Sequence, residues 1–263
     1  MTAEGDNRVL MQKVSKELLS MMQVPSVAAR LASAETAASQ LAARFAAASG
    51  APLPGAAAGA GGTQAAGGGG AGGAAAAAVA LGAAGLGEPL CMDAVRKLLL
   101  VREARLLRAL ALAMRAAPPG GSFDEWMKAQ SDQVQGAAKA YAEREVFDAC
   151  LRALDGAGAG AGGAAAQPAV AELLAPLVAL FGLSCVENDL AWFLSMELLP
   201  PKVARLLPSQ IRRVVAALAP RAPSLAAALG VPAHLVMAPI AGDWEHYNRY
   251  NNEGELVGEQ FRE

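Results

Sequence analysis

Apolar residues recur at the spacing of one helix face through most of this chain, and prolines divide the pattern into separate segments. Residues 7–22 carry apolar side chains at positions 10, 14, 18 and 21, which fits a 3.6-residue period. Pro25 ends that segment, and Val27 to Ala48 continues as a second, alanine-rich helix. No stretch shows the convincing alternation of a strand. The sequence therefore predicts an all-α fold, an antiparallel helical bundle whose helices are joined by short turns.

Two longer segments supply the middle of the predicted bundle. Met92 to Ala116 is expected to be a helix that the Pro118–Gly121 turn ends. Ser122 and Glu125 have the spacing of a capping box, which predicts a helix from there to Leu154. The bulky core residues expected in that helix are Phe123, Trp126, Val134, Tyr141 and Phe147.

Prolines set the predicted boundaries of the carboxy-terminal helices. Pro168 is expected to begin a helix that runs towards Trp192. Pro201 suits the first turn of a helix that runs towards Leu218, because its missing N–H is not needed there. A short helix that ends at Gly230 and a last short turn after Pro232 follow.

Two segments consist almost entirely of alanine and glycine, residues 50–87 and 155–166. Such segments bury too little surface to offset the entropy of ordering them, so we expect disordered linkers. They divide the chain into residues 1–49, a linker at 50–87, a helical domain at 88–250 with the insertion 155–166, and a polar tail at 251–263.

Charge and composition exclude several classes of function. The formal net charge of the whole chain is −2, which gives no footprint for nucleic acid or for an anionic membrane surface. We expect no membrane span, because Ala74 to Leu86 is shorter than the ~20 residues needed. The three cysteines and two histidines have no zinc-ligand spacing, so no metal site is expected.

Short sequence blocks in a fixed order resemble the acyl-CoA oxidase family. The first is Glu4-Gly5-Asp6-Asn7 together with the helix that follows. Later blocks lie at residues 98–114, 121–126, 180–194 and 229–241 and resemble the helices and closing signature of the family's carboxy-terminal domain. The proline-containing segment at 238–240 resembles that of plant and algal oxidases. The chain is thus similar to a carboxy-terminal fragment, and residues 1–49 correspond to the end of the first helical domain.

The resemblance implies an FAD enzyme of peroxisomal fatty acid β-oxidation that acts as a homodimer. Such enzymes desaturate fatty acyl-CoA to trans-2-enoyl-CoA and pass the electrons to O2, which yields H2O2. By position, Glu4 is the expected catalytic base that removes the α proton. Asp6 and Asn7 match positions near the flavin, whereas Arg8 stands where the family usually has Thr. The flavin domain would lie upstream of Met1, so we expect the isolated chain to bind no FAD.

Other interpretations of the same residues stay open. Glu4 could serve the dipole of the helix that follows, and Asp6 or Asn7 could cap that helix. The chain could be a non-catalytic helical dimerisation module derived from an acyl-CoA oxidase. It could also belong to an acyl-CoA dehydrogenase, although dehydrogenases usually end after the first helical domain. The terminal residues 260–263 are not a Ser-Lys-Leu peroxisomal signal.

Overall fold

The structure is a computed structural model that describes residues 7–49, 90–155, 168–236 and 238. These residues form helices and turns, and the described ranges contain no strand, which confirms the all-α prediction. The predicted linker at 50–87 and the tail at 251–263 lie outside the described residues, as does the second insertion after Asp155. The expected division of the chain into domains stays a prediction.

The helices of the first of two compact units follow the predicted order closely. They are α1 (Asn7–Met21), α2 (Pro25–Ser49), α3 (Met92–Ala116), the short α4 (Ser122–Asp124), a π-helical turn (Glu125–Ala129), α5 (Ser131–Asp155), α6 (Pro168–Asn188), α7 (Leu190–Ser195), α8 (Pro201–Ala204) and α9 (Leu207–Leu218).

Helix α3 is the centre of this unit and packs against α1, α2, α5 and α6. Its buried apolar side chains include Leu98, Leu99, Leu107 and Leu110, each fully shielded from solvent. Burial of a leucine side chain contributes about 1.5–3 kcal/mol relative to exposure. The core therefore depends on the large residues of α3 and its neighbours, and the alanines mainly let the helix backbones approach one another.

The described part of the second unit, which comprises residues 219–263, is short. It contains a 3-10 turn at Ala219–Arg221, helix α10 at Ala222–Ala228 and a 3-10 turn at Ala233–Leu235. Gly230 has φ +66°, a left-handed conformation that suits glycine at the end of a helix. The predicted helix end at Gly230 and the predicted turn after Pro232 are thus confirmed.

The predicted capping box and continuous helix after residue 121 are wrong. Gly121 is the cap residue, Ser122 makes no capping hydrogen bond, and the Glu125 N–H donates to the Gly121 carbonyl at 2.9 Å. The Glu125 carboxylate instead accepts from Gln130 Nε2 at 2.8 Å. Because the helix starts one residue early and a π-helical turn interrupts it, its register changes before α5. Phe123, expected in the core, is 70% exposed.

Helix α6 also bears on the expectation that the chain has no membrane span. By length and composition alone, Ala169–Asn188 could cross a membrane, with a mean hydropathy of 2.1. Half of this window is buried inside the structure, and α6 packs on α3, α5 and α9. Core helices of globular proteins pass the same test, so we treat α6 as a core helix. The expected absence of a span stays a prediction.

Candidate functional site

The predicted site residues lie at the amino end of α1. Glu4 and Asp6 fall outside the described residues, so the structure does not place them. Asn7 is the first residue of α1 and is exposed, as is Arg8 beside it. The structure therefore places one of the three predicted residues, and the roles of all three stay predictions.

Helix α1 is anchored through its second half. The buried Ser15 hydroxyl donates to the Val134 carbonyl of α5 at 2.5 Å, and Leu18 is 5% exposed. The first turn is not covered by the described residues, since Val9 is 62% exposed and Leu10 is 37% exposed. The predicted apolar face is thus partly wrong. Ser15, which was not part of that face, is buried, whereas Leu10, which was part of it, is exposed. Helix α1 is thus anchored through its second half, and its first turn carries exposed apolar side chains.

The most densely charged region inside the bundle is a group of ion pairs that we call the α3–α5 network. In its first half, the fully buried Arg102 of α3 donates to Glu143 of α5 and to Asp189 at 2.5 Å. Lys139 donates to the same Asp189 at 3.1 Å. The Arg102 guanidinium also lies over the Phe193 ring, 5.8 Å from its centroid. Asp189 separates α6 from α7, so these bonds fix that break in the helix.

The second half of the network mirrors the first. Glu103 of α3 is fully buried and accepts from Arg144 of α5 and from Arg30 of α2, the latter at 2.9 Å. Arg144 also donates to Asp148 at 3.2 Å. The guanidinium groups of Arg30 and Arg144 both lie over the Tyr141 ring, 5.8 and 5.4 Å from its centroid. An Arg–Glu pair on α3 thus meets a Glu–Arg pair on α5.

Burial perturbs the pKa values of this region. Loss of solvent raises the pKa of the Glu103 carboxyl, and the guanidinium groups of Arg144 and Arg30 act against that shift. For Arg144, burial acts to lower the guanidinium pKa, but Glu103 and Glu145 outweigh it and raise that pKa. Burial also raises the pKa of the nearby Cys185 thiol to about 11. These groups are enclosed and mutually bonded, so we assign the network to holding the helices together.

The sequence carried a signal for this network that the apolar pattern obscured. Arg102 lies three residues after Leu99 and four before Leu106, so it occupies the same helix face as the apolar residues. Arg144 stands three residues after Tyr141 in the same way. A charged residue in register with an apolar stripe indicates a buried, paired charge, because such residues are almost never fully buried without a partner.

An open pocket of about 430 Å³ lies between α2 and α3. Its three cationic groups are already paired: Arg96 with Asp148 at 2.6 Å, Lys97 with Asp93 at 2.6 Å, and Arg30 with Glu103. No aromatic side chain lines it. The lining residues are Arg30, Ser33, Thr36, Ala37, Gln40, Asp93, Arg96, Lys97, Leu100 and Asp148.

The described residues do not fit an enclosed flavin site. An isoalloxazine ring requires an enclosed, mostly apolar cleft with a few placed polar groups, whereas the pocket between α2 and α3 is open and half of its ten lining residues are charged. Asn7 offers one side-chain amide that a flavin could contact at the amino end of α1. Within the described ranges no group of three or more His, Cys, Asp or Glu residues could hold a metal ion. The expectation of no metal site stays a prediction.

A comparison with known protein families matches residues 91–253 to the acyl-CoA oxidase family. Since this segment covers more than half of the 263 residues, the chain belongs to the acyl-CoA oxidase family. Membership associates it with oxidoreductase chemistry in fatty acid metabolism. Comparisons with curated proteins and with solved structures returned no match.

The matched segment confirms the resemblance that the sequence blocks indicated. The blocks at 98–114, 121–126, 180–194 and 229–241 all lie within it. The block at residues 4–7, which contains the predicted base, precedes it. The family is therefore established by the carboxy-terminal helices, and the assignment of Glu4 rests on the resemblance of its own short segment.

Proposed function

We propose that this chain is part of an acyl-CoA oxidase that desaturates fatty acyl-CoA to trans-2-enoyl-CoA and produces H2O2. The observation that carries the proposal is the family match over residues 91–253, which includes α3, α5 and α6. Of these, α3 and α5 pack against α1, the helix that follows Glu4 in the sequence. FAD, when bound, would supply the hydride acceptor, and of the residues that the structure describes only Asn7 is proposed to contact it.

Glu4 is the proposed catalytic base because a carboxylate can remove the α proton that the thioester carbonyl acidifies. Such a base works near neutral pH when burial beside an apolar acyl chain raises its pKa. Val9 and Leu10 are exposed apolar residues in the first turn of α1, and we propose that they line that apolar surface.

Asp6 and Asn7 are proposed to contact the flavin at the same helix end. The polar Asn7 side chain is exposed and accessible to a cofactor held by another part of the protein. A homodimer and a peroxisomal location are further proposals that rest on family membership. The exposed side chains of α1 and α2 leave room for the additional contacts that such an assembly needs.

The test compares two glutamates in the longest open frame that contains residues 1–263, expressed with FAD. Glu4→Gln keeps the side-chain shape but removes the base, so peroxide release with a fatty acyl-CoA should fall about a hundred- to ten-thousand-fold. Glu17→Gln is the control, because Glu17 is 61% exposed on the opposite half of α1. Near-normal turnover by Glu4→Gln would contradict the proposed catalytic role. Glu4 would then be a carboxylate that interacts favourably with the helix dipole.

A second candidate is a non-catalytic helical module that pairs with other oxidase subunits. A chain whose described residues enclose no flavin could still contribute a dimer surface. The purified 263-residue chain should be colourless and release no peroxide for either candidate. The longest open reading frame that contains residues 1–263 distinguishes them: an oxidase subunit predicts acyl-CoA-dependent peroxide release from it, and the non-catalytic module predicts none.

A further inference from the structure

The basic residues of this chain are unevenly distributed. From Leu198 to Gly242 the sequence contains no Asp or Glu, although acidic residues outnumber basic ones in the whole chain, 24 to 22. Within that stretch, α8, α9 and the turn between them carry Lys202, Arg205, Arg212 and Arg213. The net charge of the chain therefore conceals a strongly basic segment.

All four cationic side chains are exposed, and no carboxylate among the described residues pairs with any of them. This distinguishes them from Arg96, Lys97, Arg102, Arg108 and Arg144, each of which is bonded to a carboxylate. Unpaired cations keep their full field in solution, and that field extends about 10 Å at ordinary ionic strength. The four residues form what we call the basic surface.

The backbone keeps the basic surface compact. The Leu206 carbonyl accepts the first hydrogen bond of α9, from the Gln210 N–H at 3.0 Å. Arg205 immediately precedes this turn, so it lies within about two helical turns of Arg212. Helix α9 buries its other side through Leu207, Val214 and Leu218. The basic side is consequently held outwards by the packing of the apolar side.

Two apolar side chains stand among these cations. Leu206 follows Arg205 and is 45% exposed, and Val215 follows Arg213 by two residues and is 47% exposed. Cations flanked by exposed aliphatic groups match the interface of an anionic bilayer, where phosphate groups border the acyl chains. The phosphates of a nucleic acid would also pair with the cations, but they would leave Leu206 and Val215 without an apolar partner.

We propose that the basic surface of α8 and α9 binds anionic phospholipid membranes peripherally. Each Lys or Arg near such a surface strengthens binding about fivefold, so the four together account for a several-hundredfold preference for anionic over neutral lipid. Attraction of this kind is screened when the Debye length falls to about 3 Å near 1 M salt. This binding is independent of the proposed oxidation of acyl-CoA.

Cosedimentation of the full 263-residue chain with vesicles tests the proposal. One set of vesicles is pure phosphatidylcholine, and the other contains about 30 mol% phosphatidylserine to provide a negative surface potential. We expect binding to the anionic set at low salt and its loss near 1 M salt. Arg212→Gln/Arg213→Gln should weaken that binding about thirtyfold, whereas Arg212→Lys/Arg213→Lys should retain it.

The matched control removes two positive charges elsewhere. Lys13→Gln/Lys128→Gln replaces side chains that are each 74% exposed on α1 and on the π-helical turn, and it should bind like the unaltered chain. Helical circular dichroism of each variant checks that the fold is kept. Equal binding to both vesicle sets, equal loss in the control, or absence of binding would each overturn the proposal. So would salt-sensitive binding of duplex nucleic acid through Arg212 and Arg213 without vesicle binding.

Discussion

Replacement of Gly182 by alanine tests the packing of the bundle most directly. Gly182 lies in α6, and a Cβ atom at this position would come 2.5 Å from Phe147 Cε2 and 2.8 Å from Val95 Cγ1. Phe147 is fully buried and Val95 is 2% exposed, so neither side chain has free space to move into. The substitution therefore forces α6 away from both α3 and α5.

Two opposing contributions set the size of the effect. Alanine in a helix is favoured over glycine by about 1 kcal/mol. Overpacking of a well-packed core typically costs about 1–3 kcal/mol, and two contacts below 3 Å argue for the upper part of that range. We expect Gly182→Ala to lower the free energy of unfolding by about 1–2 kcal/mol.

Gly136→Ala supplies the matched control. Gly136 lies within α5, and an added Cβ atom would meet nothing within 4 Å. This variant gains the helix preference without the overpacking, so its free energy of unfolding should rise by up to about 1 kcal/mol. The difference between the two variants isolates the steric cost.

Urea unfolding followed by helical circular dichroism measures both variants, and the midpoints are compared at unchanged slope. A double-mutant cycle with Val95→Ala should show coupling, because the smaller side chain relieves one of the two close contacts. If Gly182→Ala proved as stabilising as Gly136→Ala, the close approach of α6 to α3 and α5 would be refuted.

Two further predictions concern buried polar groups. Glu103→Gln leaves the buried Arg144 without its main countercharge and should cost about 3–5 kcal/mol in urea unfolding; Glu35→Gln, at a 57% exposed carboxylate, should change stability by less than about 0.5 kcal/mol. Equal effects would contradict the burial of the network. Burial raises the Cys185 thiol pKa to about 11, so native alkylation at pH 8 should label Cys150 well before Cys185, as peptide mass spectrometry can resolve. Rapid labelling of Cys185 without unfolding would show that the thiol is accessible.

Several helix boundaries followed from a proline or glycine rule, but the helices predicted from Pro168 towards Trp192 and from Pro201 towards Leu218 are each divided into two. The predicted limits of α3 match the observed Met92–Ala116, because the Pro118–Gly121 segment cannot continue a helix. Pro168 begins α6 as expected. The start of α4 was missed because Gly121 took the cap position that the sequence assigned to Ser122. A capping motif locates a helix start to within one residue. The tight turn before the helix determines which residue becomes the cap.

Side-chain partners were harder to predict than boundaries. Arg102 and Glu103 are charged residues, and charged residues are usually exposed in folded proteins. Their burial depends on α5, some forty residues further along, placing Glu143 and Arg144 opposite them. The predicted base and flavin contacts depend similarly on parts of the protein beyond α1. Local rules therefore established the helices, whereas pairings between distant segments required the structure.

The reciprocal charges of the α3–α5 network also specify how these helices align along their axes. The pairing of Arg96 with Asp148 and of Arg102 with Glu143 sets α3 and α5 antiparallel. Alanine-rich faces would tolerate sliding by one turn, about 5.4 Å, with little loss of apolar contact. Such a slip would break the Arg102–Glu143 and Glu103–Arg144 ion pairs inside the bundle. The network thus acts as a register lock in a bundle whose small side chains would otherwise permit several alignments.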